Sequence, residues 1–202
     1  MNDMLPAAAV KNEQLFDFFI ARLKELHTAE KHLIKTFPRY RNAAGTHELK
    51  TIFSLQLENA RNHTAGLEAV SCLLGKKLLP KKNDAIESIV MEGERIAESL
   101  ELNAEAMDTS LMLSSRKLIH YMIPAYNGLI RLSFVLGFGE ISALLKKMLD
   151  EEKQADRFLN MIAEQEASIT TTTFIYKPIE SQKMYFPRLL PLRSAAAGNS
   201  LY

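Results

Sequence analysis

The sequence predicts an all-α protein: a bundle of four long helices with one long crossover connection that contains a short extra helix. Three observations predict it. Apolar residues recur at alternating spacings of three and four over four long segments, the period of a helix with one buried face. No stretch before Ser168 alternates every second residue as a half-buried strand does. Short turns separate the first two segments and the last two, while a long link separates the pairs, so two antiparallel hairpins joined by a crossover are expected.

After a polar lead over residues 1–11, the first helix is expected from about Asn12 to Arg41, with Leu23, Leu26, Leu33 and Phe37 on its apolar stripe. Pro38 should bend or end it, because proline lacks the N–H that a helix interior needs. Ala44-Gly45-Thr46 reads as a turn, with Gly45 free to take positive φ and Thr46 placed to cap the next helix. That helix is expected from His47 to Leu74, stopping at Gly75. The link Lys76 to Lys82 is basic and holds Pro80. A shorter amphipathic piece follows from Asp84 to Leu100, with Ile86, Ile89, Val90, Ile96 and Leu100 on one side. The third long helix runs from Ala104 to Leu136 and should kink at Pro124. Gly137-Phe138-Gly139 is a turn, and the fourth long helix runs from Glu140 to Ala167.

The bundle is thus expected over residues 12–167. Four consecutive threonines, Thr170 to Thr173, then disfavour helix, since β-branched side chains lose rotamer freedom there. Residues 168–202 read as an extended arm rich in proline and aromatics, lying on its own bundle or docking a second subunit or a protein partner.

Composition narrows the function classes. In 202 residues, 25 Lys plus Arg balance 24 Asp plus Glu, so no global field draws nucleic acid or anionic lipid. The longest uncharged apolar run, Leu118 to Ile130, is too short to span a bilayer. The single cysteine, Cys72, forbids an internal disulfide and suits a reducing compartment, so a cytoplasmic protein is expected. Cys72 itself reads as a small buried apolar residue, and Met91, Met112, Met122, Met148 and Met161 as core filler. There is no phosphate-binding glycine loop, no nucleophile elbow and no His-x-x-x-His pair for zinc, so no catalytic residue is assigned.

The informative residues are carboxylates on apolar stripes. Glu30 lies on the stripe of the first helix, where an unmatched carboxylate is costly to bury. Glu152 lies on the stripe Ile141, Leu145, Met148, Glu152, Ala155, Leu159, Ile162, with Asp156 one turn on. The second helix is read as a mixed stripe of Leu55, Glu58, Ala65, Ala69 and Cys72, with Arg61 a turn beyond Glu58. Carboxylates converging from facing helices, with Glu-x-x-His pairs on two of them, are how bundles build di-iron and di-manganese sites. The third long helix offers Leu111, Leu118, Ile119, Met122, Ile123, Leu129 and Leu132 instead, none an oxygen ligand.

These pieces, in order, resemble the bacterial YciE/YciF family of ferritin-like, stress-associated proteins. The resemblance rests on Thr28-Ala29-Glu30-Lys31-His32-Leu33, Leu57-Glu58, Ala85-Ile86-Glu87, His120-Tyr121, Ala125-Tyr126 and Asp150 through Asp156, within Leu15 to Ala163. It implies a ferritin-like bundle in which Glu30, Glu58 and Glu152 match metal-ligating positions and Asp156 a further acidic one. It also implies losses: Arg61 stands in place of a ligand histidine, and Ile119 and Met122 in place of two glutamates. The expectation is a degenerate di-metal site in which the Arg61 guanidinium, a permanent cation with five donors, holds Glu30, Glu58 and Glu152 together. His63 is read as pointing elsewhere, and His120 as hydrogen-bonding across the bundle or at its surface.

Two functions are carried forward. The leading one is a stress-associated structural or interaction protein with no cofactor, acting as a homodimer rather than an enzyme. The alternative is an oxidase or iron-handling protein that binds one iron or manganese ion through Glu30, Glu58, Glu152 and Asp156.

Overall fold

A computed structural model describes residues 12–174 as five helices and no strand: α1 (Glu13–Ala43), α2 (His47–Leu73), α3 (Asp84–Ala97), α4 (Ala104–Val135) and α5 (Gly139–Phe174). α1 and α2 form one antiparallel hairpin, α4 and α5 the other, and α3 packs across the groove between α1 and α4. Residues 1–11 and all but the first few residues of the arm expected over 168–202 lie outside the described residues.

Local chemistry starts and stops each helix. Asn12, Asn83 and Asn103 cap α1, α3 and α4, their side-chain oxygens accepting from the N–H of Leu15, Ile86 and Ala106. Gly75 (φ 60°) and Gly137 (φ 78°) end α2 and α4 in left-handed turns, where Lys76 N–H reaches Ser71 and Phe138 N–H reaches Ser133. Thr46 stands at the N-cap of α2 without a side-chain cap bond of its own. Its expected role passes to Asp108 of α4, whose two carboxylate oxygens accept from Gly45 N–H at 2.6 Å and Thr46 N–H at 2.8 Å. Gly45 does not need the positive φ expected of it; a side chain there would crowd the Asp108 carboxylate at 3.4 Å.

The core is one continuous cluster in which α1 contributes Phe19, Leu23, Leu33 and Phe37, α4 Leu111, Leu118, Ile119 and Met122, and α5 Leu145 and Leu159. Fully burying one such leucine contributes roughly 1.5–3 kcal/mol. α3 joins through Ile86 and Val90, and approaches α1 so closely at Gly93 that a Cβ there would sit 1.6 Å from the Tyr40 hydroxyl.

Several expectations are corrected. Pro38 does not end α1, which runs on to Ala43. α5 continues through the threonine run to Phe174, because a propensity deficit of about half a kcal/mol per residue is small beside continuation of a formed helix. Cys72 is exposed, as are Met91, Met161 and Leu100, which lies past the end of α3. The second helix is turned from its expected face: Leu55, Glu58, Arg61, Ala65, Ala69 and Cys72 are exposed, while Leu49, Phe53, Gln56, Ala60, His63, Leu67 and Val70 are buried.

Candidate functional site

The buried stripe of α2 carries the residue that meets Glu30. Its members alternate spacings of four and three, and His63 falls among them at 1% exposure. Glu30 on α1 is 0% exposed and Glu152 on α5 is 7% exposed, each on the inward stripe expected for it. Three helices therefore deliver Glu30, His63 and Glu152 to one point, where one ligand atom from each lies within 4.8 Å of the others.

His63 occupies the middle. Its Nδ1 lies 3.0 Å from Glu30 Oε1 and 3.5 Å from Glu152 Oε1, and its Nε2 lies 2.8 Å from Glu151 Oε2. From α4, the Tyr126 hydroxyl donates to Glu30 Oε1 at 2.5 Å, and its ring stands edge-on to the imidazole with centroids 5.7 Å apart. Both histidine nitrogens thus face acceptors, a geometry satisfied fully only by the doubly protonated ring.

Electrostatics point the same way. Burial alone would lower the pKa of His63, but the carboxylates of Glu152 and Glu30 outweigh it and raise the value to about 10. Burial raises Glu152 above the usual carboxylate range; the hydrogen-bonding His63 opposes this and the nearby Glu30 charge adds to it. Burial, then the charge on Glu30, pushes the Tyr126 phenol well above its ordinary value. One imidazolium does not neutralise three carboxyl groups, and holding Glu152 toward its protonated form relieves the excess. Glu30 Oε2 is buried without a hydrogen-bond partner among the described residues.

The other expected members lie elsewhere. Glu58 and Arg61 are exposed on the outer face of α2, so the guanidinium does not hold the inward carboxylates; His63 supplies the cation instead. Asp156 is half-buried and belongs to a separate cluster, accepting from His120 Nε2 at 3.0 Å and Arg116 Nε at 3.3 Å. His120 does bond across the bundle at its surface, as expected. Ile119 and Met122 are buried on the α4 wall. On α2, the buried pair at Glu-x-x-His spacing is Ala60 and His63; on α5 it is Glu152 and Ala155. Each pair carries one metal-binding side chain and one alanine.

Comparison with known proteins places the fold. Residues 14–172 match the family described as "Domain of unknown function (DUF892)". Protein YciF of Escherichia coli (strain K12) is 30% identical over 148 residues, 73% of this chain and 89% of YciF. The crystal structure of the E. coli stress protein YciF superposes with a TM-score of 0.72 at 29% identity, covering 76% of this chain and 97% of that one. YcfI, a putative structural protein from Rhodopseudomonas palustris, gives 0.68 at 24% identity, covering 79% and 97%. Dps from Thermosynechococcus elongatus gives 0.55 at 14% identity, covering 78% and 94%, a likeness of fold alone. The ferritin-like bundle expected from the sequence is the fold observed. No helix among the described residues is long and apolar enough to cross a membrane.

Proposed function

The chain belongs to the DUF892 family, and we propose that within it this protein is a stress-associated structural or interaction protein whose ferritin-like bundle has given up two-metal chemistry. The observation that carries this reading is the engagement of both His63 ring nitrogens by carboxylates. A histidine ligates metal through the lone pair of a neutral ring, and here both nitrogens are placed to donate protons. The donor count agrees. A two-metal bundle site draws on about four carboxylates and two imidazoles. The buried cluster offers Glu30, Glu152 and one imidazole, with Glu151 at its edge, and Ala60, Ile119, Met122 and Ala155 line positions without donors. The proton on His63 takes the place of the ions in holding acidic helices together.

A second reading is favoured by one atom. Among the described residues Glu30 Oε2 lacks a partner, and with His63 and Glu152 Glu30 forms a three-donor set suited to a single iron or manganese ion once His63 is deprotonated. Metal analysis of protein from iron-supplemented cells, with thermal melts in added Fe(II) or Mn(II), separates the two. The leading reading expects no stoichiometric metal and no shift in Tm. One bound equivalent that raises Tm, and is lost in His63→Ala, would overturn it.

A further inference from the structure

A groove of about 740 Å³ follows the seam between α3 and α4, from Ser110 to Tyr121 on α4 and from Ile96 back to Ile89 on α3. Its charges are matched within the chain: Lys117 bonds Glu92 of α3, and Arg116 and His120 share Asp156 of α5. What stays open is apolar. Leu113 is 57% exposed there, and Ile89 and Ile96 opposite are only partly buried. Leu100, in the link that joins the two helices beside the groove's near end, is fully exposed.

The last helix leads the chain to this groove. α4 and α5 are antiparallel and meet at Asp156, which bonds Arg116 and His120, so α5 passes the start of α4 and ends at Phe174 about one turn beyond Ala104. The groove begins about 9 Å along α4 from Ala104 and is about 16 Å long. Residues 175–202 follow, past the end of the family match at residue 172. Nine extended residues span up to about 30 Å, so the chain from Ile175 to Lys183 is long enough to bring Met184 to any point of the groove. Met184, Tyr185, Phe186, Leu189 and Leu190 then supply apolar side chains, and Pro187 among them favours an extended backbone, which docks at low entropic cost. The arm carries Lys177, Lys183, Arg188 and Arg193 against Glu180 alone. On its route Glu101 and Glu105 are exposed and form no ion pair among the described residues.

We infer that the α3–α4 groove is the docking site of the chain's own C-terminal segment Met184 to Leu190. Its aromatic and leucine side chains cover Leu113, and the basic residues ahead of it pass Glu101 and Glu105. A tether of about ten residues holds the segment at a roughly millimolar effective concentration, which favours it over any separate molecule of like affinity. The inference does not rest on what holds the bundle centre.

Maleimide labelling of the full chain tests it, with the exposed Cys72 replaced by Ser and Ser110→Cys as the reporter in the groove. The reporter is expected to react at least tenfold faster once the arm carries Phe186→Ser, Leu189→Ser and Leu190→Ser, and likewise with Leu113→Glu on the groove. Neither set touches a buried bundle residue, so the helical circular dichroism should stay unchanged. Protection by the native arm is expected to persist on dilution to nanomolar protein. Equal labelling rates in all three proteins would overturn the inference. Protection that grows with protein concentration would put a second copy in the groove, and protection kept in the arm variant but lost in Leu113→Glu would put some other molecule there; either defeats the proposal.

Discussion

Two of the histidine–carboxylate clusters in this bundle are built from the same chemical parts in opposite surroundings. His63 is 1% exposed among Glu30, Glu151 and Glu152, with Tyr126 closing the cluster. His120 has a side chain 56% exposed and shares Asp156 with Arg116, near Tyr121. In water, such a pair is screened and side-chain entropy offsets most of its attraction, leaving roughly 0–1 kcal/mol. In a dry core, the same groups cannot separate without leaving charge unmatched, and removing one partner costs roughly 3–5 kcal/mol. Burial, more than composition, sets what each cluster does.

The largest expected contrast follows from deleting each imidazole. His63→Ala should lose about 3–5 kcal/mol in urea unfolding, while His120→Ala should lose no more than about 1 kcal/mol. Equal losses would break the comparison.

Proton linkage sharpens it. The folded protein raises His63 from 6.5 to about 10, so it binds that proton more tightly than the unfolded chain does. The resulting stability is fully present below pH 6.5 and is lost as pH rises through about 10. The raised Glu152 acts in the same sense, since its folded form also favours the proton. Urea midpoints of the native protein and His63→Gln, measured from pH 6 to pH 10.5, should converge towards the alkaline end. A gap that is constant with pH would show that His63 is not the proton holder.

The tyrosines offer a smaller contrast. Tyr126→Phe removes a buried donor to Glu30 and should cost roughly 1.5–3 kcal/mol. Tyr121→Phe removes a partly exposed acceptor from Asn83 and should cost about 1 kcal/mol or less. The smallest effect is ionic. Raising salt from 0.05 M to 0.5 M should reduce the cost of Asp156→Ala, because its partners reach solvent, and leave that of His63→Ala nearly unchanged. A salt dependence shared by both would mean that water reaches the centre.

How far the site is legible in the sequence differs helix by helix. On α1, α4 and α5 the apolar stripes are unbroken, so Glu30, Ile119, Met122 and Glu152 are placed inward by periodicity alone. On α2 two alternating stripes compete. The one that contains Glu58 follows the acidic residue and holds weak alanines; the one that is buried runs Leu49, Phe53, Gln56, Ala60, His63, Leu67, Val70, Leu74. The larger side chains decide the face, because they gain most from leaving water, and His63 is carried inward with them. Weighting the stripes by apolar bulk, before asking where the carboxylates fall, would have found it. The pairing of Asp108 with Gly45 and Thr46 has no such local signal, since it joins positions more than sixty residues apart.

That Asp108 bond has a mechanical consequence. It rivets the α1–α2 turn to the start of α4, whereas at the far end the Gly75 and Gly137 turns meet through Leu73, Leu74 and Phe138. Thermal opening of the two hairpins is therefore expected to be asymmetric, like tongs hinged at Asp108 with their jaws at the glycines. Backbone amides of the last turns of α2 and α4 should exchange with solvent before those around Gly45, and Asp108→Ala should erase that order by freeing the hinge.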